Sequence, residues 1–405
     1  MQSSCFNRLD ALQASLWCIL IAIMPLEHVP ALRLMLLAIL FVMLLVRARR
    51  DMLASYMRSW PMLAWVLFCS ATWFWSMRPQ STAYHLRADL LPSILAFGVF
   101  AAMAKNPFAE PSLRLGMLMC ALINAALAIV GHRLQQPIFA HYYSDVGYSS
   151  TIAVINISFA LSALWFRRSD KLALAVLLCS LLAGIASANR LFVVILVIAV
   201  MIFMGLAIRQ SFANSYKRHL IWWMFSGFCL IVVGGSLSLD QAFMGKIARL
   251  WEVGDPRPKI WGAWLKYGLQ APFFGNGYGR NVGEYSFGRQ FDMHLLGIDP
   301  LAVMHSHNLF LNAFVETGLV GLALFCLMWA SFAISFLKGW HKCRPWGVAG
   351  LAIMVGFLLK NQTDIFFLKS TMILIMGLMG YYIAACDLSC SQNETKGGAK
   401  ETLHN

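Results

Sequence analysis

Two histidines in one short polar segment, His305 and His307, are the strongest chemical signal in the chain. A neutral imidazole accepts a proton near pH 7, so either side chain suits a general base. A histidine pair also suggests a metal, but the nearest acids, Asp292 and Asp299, complete no recognisable ligand pattern. On a helix the two imidazoles would point apart, whereas in an extended segment they would not. We therefore predict proton transfer, with no metal and no cofactor.

A polar stripe follows the histidines. Asn308, Asn312 and Glu316 are spaced by four residues, so a helix places them on one face. The surrounding residues are apolar, and a polar stripe in a membrane helix usually marks a site or a helix contact. The spacing predicts that His307 lies at the mouth of this stripe.

A second polar cluster lies between the last two apolar stretches and consists of Lys360, Asn361, Gln362 and Asp364. Its acid, Asp364, could orient a histidine or pair with an arginine. Polarity that simply ends a membrane span explains the cluster equally well.

Arg190 is informative because residues 172–208 are almost wholly apolar and yet too long for one span. As one helix they would extend about 55 Å, against a hydrocarbon core of about 30 Å. The stretch must fold back, and only Asn189 and Arg190 offer a polar turn. The arginine is either an interfacial anchor or a cation that faces an interior cavity.

The elements that must position these residues are membrane helices. The 405 residues are 60% hydrophobic and 12% charged, which would leave a soluble protein with too much exposed apolar surface. Apolar stretches of about 17–25 residues recur, the length of a membrane-spanning helix. We predict about twelve spans: 11–29, 31–46, 60–77, 90–104, 113–131, 148–166, 172–189, 191–208, 220–239, 308–337, 346–366 and 370–386.

Lysine and arginine set the orientation, because cytoplasmic loops accumulate them. If the N-terminus is inside, the basic clusters at 47–58, 105–114, 167–171, 209–218 and 338–344 all fall on the cytoplasmic side. Both termini are therefore predicted to be cytoplasmic. The net charge of +14 is largely this topology signal, so it does not indicate nucleic-acid binding.

Four segments follow from the pattern: transmembrane helices 1–9 at 1–239, a large periplasmic loop at 240–307, helices 10–12 at 308–388, and a disordered cytoplasmic tail at 389–405. Within the loop, 241–253 and 259–270 carry apolar residues at helical spacing, which predicts two short amphipathic helices. Gly275, Gly277 and Gly279 then indicate either a loop that approaches a phosphate or a plain turn.

His307 and Asn308, followed after nine residues by Gly318 and after two more by Gly321, resemble the histidine motif of the O-antigen ligase and polymerase superfamily of inner-membrane glycosyltransferases. The resemblance also covers the topology of the whole chain. It implies an all-α polytopic membrane protein of the GT-C-like kind, with one long periplasmic loop that contains short helices.

The resemblance implies transfer of an O-antigen glycan from undecaprenyl pyrophosphate to a sugar hydroxyl of lipid A-core, at the periplasmic face of the bacterial inner membrane. His307 would be the general base, and Arg190 and Arg257 would hold the pyrophosphate by charge-assisted hydrogen bonds. Attack opposite the leaving group would invert the anomeric carbon without a metal. Supporting roles would fall to His305, Asn308, Asn312, Glu316, Arg280, Arg289 and Asp364.

Other functions stay open at this point. An O-antigen polymerase and a protein O-oligosaccharyltransferase share the fold, and the motif does not separate them from a ligase. A transporter or flippase for a lipid-linked anionic substrate belongs to another class. Transporters often consist of two repeated halves with broken helices near the midplane, and the sequence shows no such repeat.

Overall fold

A computed structural model describes residues 2–133, 146–166, 170–187, 189, 192, 257–280, 282, 305–342, 344–362 and 364–401. Every regular element in these residues is helical, and no strand occurs among them. The predicted span at 191–208, apart from Phe192, the predicted span at 220–239 and the predicted loop helix at 241–253 lie outside the described residues. An all-helical architecture is what a chain must adopt when lipid offers its backbone no hydrogen-bond partners.

The helices in these residues are α1 (Gln2–Ala22), α2 (Pro30–Arg58), α3 (Trp60–Ala71), α4 (Pro79–His85), α5 (Leu91–Met103), α6 (Ala109–Ala128), α7 (Val146–Phe166), α8 (Lys171–Ala186), α9 (Arg257–Gly268), α10 (Leu309–Lys342), α11 (Arg344–Lys360) and α12 (Lys369–Glu401). A π-helical turn, Leu86–Leu90, joins α4 to α5. The helix α9 occupies most of the segment 259–270 for which the sequence predicts a short helix.

Six helical stretches in the described chain are long and apolar enough to cross a membrane: Pro30–Arg58, Pro79–Met103, Ala109–Gly131, Gly147–Phe166, Leu309–Trp340 and Lys369–Cys390. Three shorter apolar helices, Trp60–Phe74, Lys171–Ala186 and Pro345–Lys360, match further predicted spans. The total of about twelve spans stays a prediction.

The centre of the bundle is α12, which packs against α5, α10 and α11. Gly377 and Gly380 face Phe100 and Phe97 of α5 so closely that a side chain at either glycine would overlap them. Small residues at such a contact let two membrane helices approach and gain van der Waals packing. This close approach fixes α12, and with it the loop that precedes α12, relative to α5.

Charged groups collect at two opposite ends of the bundle. At one end the helices are joined by ion pairs among residues that the sequence assigns to one side of the membrane: Asp10–Arg47, Asp51–Lys105, Arg58–Asp387 and Arg114–Asp170. At the other end, Lys369 Nζ lies 2.7 Å from Glu27, and its backbone N–H donates to Asp89 at 3.1 Å. The helix ends therefore group as the alternating topology requires.

The helix α10 is broken at Gly318, whose φ of 66° and ψ of −169° are not helical. Residues 271–279, which we call the glycine segment, fill the break. They supply the backbone hydrogen-bond partners that the helix loses there. Four backbone hydrogen bonds of 2.8–3.1 Å join the two: Asn276 to Val315, Gly277 to Glu316, Leu319 to Pro272 and Val320 to Phe273. A broken membrane helix is tolerated when neighbouring backbone satisfies the freed groups in this way.

The helix α12 continues to Glu401, into the segment 389–405 for which the sequence predicts a disordered cytoplasmic tail. The helix is already formed where it leaves the apolar span, so each further residue adds a hydrogen bond without a new nucleation cost. Gln392, Glu394 and Lys396 are favourable helix formers, which supports this continuation.

Candidate functional site

The two histidine side chains lie together at the start of α10, in a non-helical segment. Their ring centroids are 3.9 Å apart, so the extended geometry rather than the helical one applies. His305 Nε2 lies 3.5 Å and His307 Nδ1 lies 3.6 Å from the same oxygen of Asp364. The structure thus brings three of the predicted site residues into one cluster, which we call the histidine cluster.

Asp364 is the anion of this cluster. Burial by itself raises the pKa of its carboxyl, but the interactions with His305 and His307 and the charge of Lys360 outweigh burial and hold the pKa well below its usual range. Asp364 is therefore ionised at neutral pH. A buried carboxylate next to an imidazole orients the ring and stabilises its protonated form.

His305 is the more enclosed of the two imidazoles. Burial lowers its pKa, Asp364 acts in the opposite direction, and the electrostatic interactions with His307 and Arg280 add to the lowering. Its Nδ1 is buried and has no hydrogen-bond partner among the described residues. His305 is thus neutral at pH 7, and the imidazole side chain of His307 is more exposed, 21% against 13%.

Local backbone geometry explains why asparagine follows His307. Asn308 caps α10, because its side-chain oxygen accepts the Leu311 N–H at 2.9 Å, and its amide donates to the Gln362 carbonyl at 2.9 Å. His307 itself has a φ of +50°, which turns the chain into the cap. The single side chain of Asn308 therefore fixes the histidine segment to both α10 and the turn that carries Asp364.

Lys360 places a second cation on Asp364. Its side chain is fully buried, with Nζ 3.8 Å from the second carboxylate oxygen of Asp364 and 5.0 Å from the centre of the Phe366 ring. Within the 360–364 cluster, Asp364 thus contacts both histidines and Lys360.

The ligand atoms of His305, His307 and Asp364 lie within 4.8 Å of one another, a spacing that a metal ion could bridge. The ammonium of Lys360 beside the same carboxylate, together with the nearby charge of Arg280, opposes a divalent cation at this place. The donor set is therefore better suited to an oriented base than to a resident metal.

A cavity of about 280 Å³ lies next to the histidine cluster, between α3, the α4–α5 region, the glycine segment and α10. Its polar lining includes Lys369, Thr317, His85, Arg280, Asn312, Asp89 and Glu316. Of these, the sequence predicts Arg280, Asn312 and Glu316 as site residues, and the structure brings them together here. Aromatic side chains of Trp65, Tyr84, Tyr278 and Phe367 form much of the remaining wall.

His85 and Asp89 are site residues that the sequence analysis missed. His85 Nδ1 lies 2.7 Å from Asp89, and the other oxygen of Asp89 accepts the Lys369 N–H at 3.1 Å. The available signal was the spacing of four between a histidine and an acid at the exported end of a predicted span, which puts both on one helical face. His85 and Asp89 belong to the candidate site because both line the cavity.

The predicted arginines differ in how close they lie to the histidine cluster and the cavity. Arg280 lines the cavity and acts electrostatically on His305, so it is closely tied to the site. Arg257 begins α9, which packs on the first turns of α10 through Ile260 and Trp264. Arg190 and Arg289 lie outside the described residues.

Comparison of the sequence with known protein families identifies a similar family. Residues 173–326 match the family model described as O-Antigen ligase, which confirms the resemblance seen at 307–321. No curated protein matches the chain. The matched segment includes α9, the glycine segment, both histidines and the break in α10. Residues 173–326, fewer than half of the 405 residues of this helical membrane protein, are similar to the O-Antigen ligase family, and this similarity supports membership of the O-antigen ligase-type superfamily.

Proposed function

We propose that the chain is an O-antigen ligase that transfers glycan from undecaprenyl pyrophosphate to a sugar hydroxyl of lipid A-core. The observation that carries the proposal is the contact of His307 Nδ1 with Asp364, within a chain whose histidine motif belongs to a matched O-antigen ligase segment. The site would face the periplasm, with both termini in the cytoplasm of a bacterium that carries the protein in its inner membrane.

His307 is the base in this proposal, and its geometry supports that choice over His305. Asp364 contacts Nδ1 of His307 and so favours the tautomer with the lone pair on Nε2. For His305 the carboxylate contacts Nε2, and the other nitrogen, Nδ1, is enclosed by protein. A base must reach the proton that it removes, so the more exposed imidazole fits the role.

The reaction balances without a further reactant. His307 Nε2 takes the proton of the acceptor hydroxyl while that oxygen bonds to the anomeric carbon of the donor. The bond from that carbon to the pyrophosphate oxygen breaks, and undecaprenyl pyrophosphate leaves with the electron pair. Attack from the side opposite the pyrophosphate inverts the anomeric carbon. The proton then passes from His307 to solvent or to the leaving group.

Cations are needed where the pyrophosphate charge collects. Arg257 and Arg190 are the proposed ligands, since a guanidinium binds phosphate oxygens in a bidentate manner. Arg280, which lies near His305, and Arg289 are further candidates. With arginines in this role, the leaving group needs no divalent metal.

The purified full-length chain tests the proposal directly. It would be mixed in lipid nanodiscs with undecaprenyl-pyrophosphate-linked glycan and lipid A-core, and the products separated on gels. A ligase yields glycan-bearing lipid A-core and free undecaprenyl pyrophosphate. Longer lipid-linked glycan that forms without the acceptor would identify a polymerase, and the absence of any new glycosidic bond would favour a transporter. Either result would overturn the ligase.

Asp364→Asn is expected to lower the transfer rate at least about 10²-fold, because an amide no longer favours the productive tautomer or stabilises the protonated imidazole of His307. Initial rates at saturating donor and acceptor would measure the loss. Asp387→Asn is the matched control, since Asp387 pairs with Arg58 in an exposed ion pair at the opposite end of the bundle. Equal rates for Asp364→Asn and the wild type would remove Asp364 from the mechanism.

A further inference from the structure

We propose that the cavity between α3, α4–α5, the glycine segment and α10 binds one sugar ring of the acceptor, with His85 and Glu316 as its hydroxyl-binding residues. This inference rests on the proposed function and adds the place of the acceptor to it. The predicted site gave specific roles only to the base and the pyrophosphate ligands. Glu316 was among its supporting residues without a stated ligand, so the ring that carries the attacking hydroxyl had no assigned position.

The lining has the chemistry of a sugar site. Glu316 is a buried carboxyl that accepts from the Asn312 amide at 2.8 Å. A carboxyl group has room for further hydrogen bonds, and sugar hydroxyls both donate and accept them. Trp65 and Tyr278 offer apolar ring faces at the same cavity, which suit the C–H face of a sugar.

His85 has one ring nitrogen committed and one without a partner. Nδ1 lies 2.7 Å from Asp89, which fixes the ring, and Nε2 is buried with no hydrogen-bond partner among the described residues. A buried polar atom without a partner costs free energy, so its persistence calls for an explanation. A ligand hydroxyl in the cavity would supply the missing hydrogen bond.

The size of the cavity restricts the ligand. Pockets for drug-sized molecules have volumes of roughly 300–1,000 Å³. At about 280 Å³ this cavity suits a single ring rather than an oligosaccharide. The remainder of a core glycan would lie outside it.

The charges favour the acceptor over the donor. The first donor sugar is bonded directly to pyrophosphate, so its site must also tolerate that anion. Asp89 would repel it, and the ammonium of Lys369, which borders the cavity, is paired with Glu27. Arg280 also lines the cavity, but it is shared with the pyrophosphate site proposed above and so does not by itself favour the donor sugar. The acceptor ring bears hydroxyls without an attached pyrophosphate.

The cavity is also next to the proposed base. Leu309, two residues after His307, lines it, and Arg280 lines it while acting on His305. A ring held there would lie beside the histidine cluster. The glycine segment completes this arrangement, because Gly279 packs against the His85 ring so closely that a side chain would overlap it.

The test is the dependence of transfer on lipid A-core concentration, measured with the full-length protein in nanodiscs at saturating donor. His85→Ala and Glu316→Gln are each expected to raise the acceptor KM at least about tenfold, the loss expected for a hydrogen bond to a charged or buried group. The donor KM should stay within about threefold of the wild type. His28→Ala, which changes an exposed histidine at the same end of the bundle, should leave both constants unchanged.

Failure of the acceptor-site proposal and failure of the ligase proposal give different results in this experiment. If the wild type transfers glycan and both variants keep its acceptor KM, or raise the donor KM by as much as the acceptor KM, the cavity is not the acceptor site. If the wild type transfers nothing to lipid A-core, the ligase itself fails. Thermal unfolding of each variant identifies a loss through misfolding, and Asp89→Asn, which alters the orientation of His85, then provides the second measurement.

Discussion

Replacing His307 with alanine is expected to lower the rate of glycan transfer about 10²–10⁴-fold, the usual contribution of a positioned general base. The imidazole is the group that contacts Asp364 through Nδ1 and is the more exposed member of the histidine cluster. Without it, water must take the proton of the acceptor hydroxyl. Single-turnover rates at saturating substrates would isolate the chemical step from binding.

His305→Ala is the matched control, because it removes the neighbouring imidazole from the same carboxylate. We expect a smaller loss, since Nδ1 of His305 is enclosed and its role is to hold Asp364 in place. An inactive His305→Ala variant, together with an active His307→Ala variant, would reverse the assignment of the base.

A metal role for the same residues makes a different prediction. If His305, His307 and Asp364 held a metal ion, either histidine variant and a strong chelator would all abolish transfer, and added Zn²⁺ or Mn²⁺ would restore the chelated enzyme. For an oriented base we expect the wild-type rate to be unaffected by chelator. The effect of the chelator on the wild-type rate therefore decides whether His305, His307 and Asp364 form a metal site or an oriented base.

The histidine cluster was partly predictable from the sequence. Spacing identified the polar stripe of Asn308, Asn312 and Glu316, and the structure shows the Asn312–Glu316 hydrogen bond that this spacing allows. Spacing did not reveal that His305 and His307 converge, because their geometry depends on the positive φ of His307 and the cap formed by Asn308. Backbone departures of this kind leave no periodic signal in a sequence.

Long-range contacts account for what the sequence analysis missed. His85 and Asp89 acquire a role only because α4–α5 packs beside the glycine segment and α10, which are more than 180 residues away in the chain (His85 to Gly279 is 194 positions). Hydropathy indicates that a helix spans the membrane, but it does not indicate which helices are neighbours. Polar residues near a helix end therefore cannot be assigned to a site until the packing is known.

The role of the three glycines also depends on packing that the sequence does not show. The sequence left Gly275, Gly277 and Gly279 between a phosphate-binding loop and a plain turn. In the structure all three have positive φ, and each packs against another element: α10, the segment after α3, and His85 respectively. Glycines are required here because the backbone of the glycine segment must enter the break in α10. That break occurs at Gly318.

Gly318→Ala is expected to destabilise the protein severely. With φ of 66° and ψ of −169°, Gly318 adopts a conformation that is essentially restricted to glycine and costs other residues about 1–3 kcal/mol. An added Cβ would also overlap the backbone of Phe273 and Phe274, and overpacking of this kind costs about 1–3 kcal/mol more. Thermal unfolding in detergent and the yield of monodisperse protein would measure the effect.

Gly262→Ala provides the opposite control. Gly262 lies on the exposed face of α9 with no atom within 4 Å of an added Cβ, so alanine should stabilise the helix by up to about 1 kcal/mol. The two substitutions add the same methyl group, and only the backbone conformation and the surroundings differ. If Gly318→Ala melted at the wild-type temperature, the break in α10 and its filling by the glycine segment would be wrong. A loss of folded protein for Gly318→Ala with a normal yield for Gly262→Ala would support both features, and with them the position of Glu316 at the cavity.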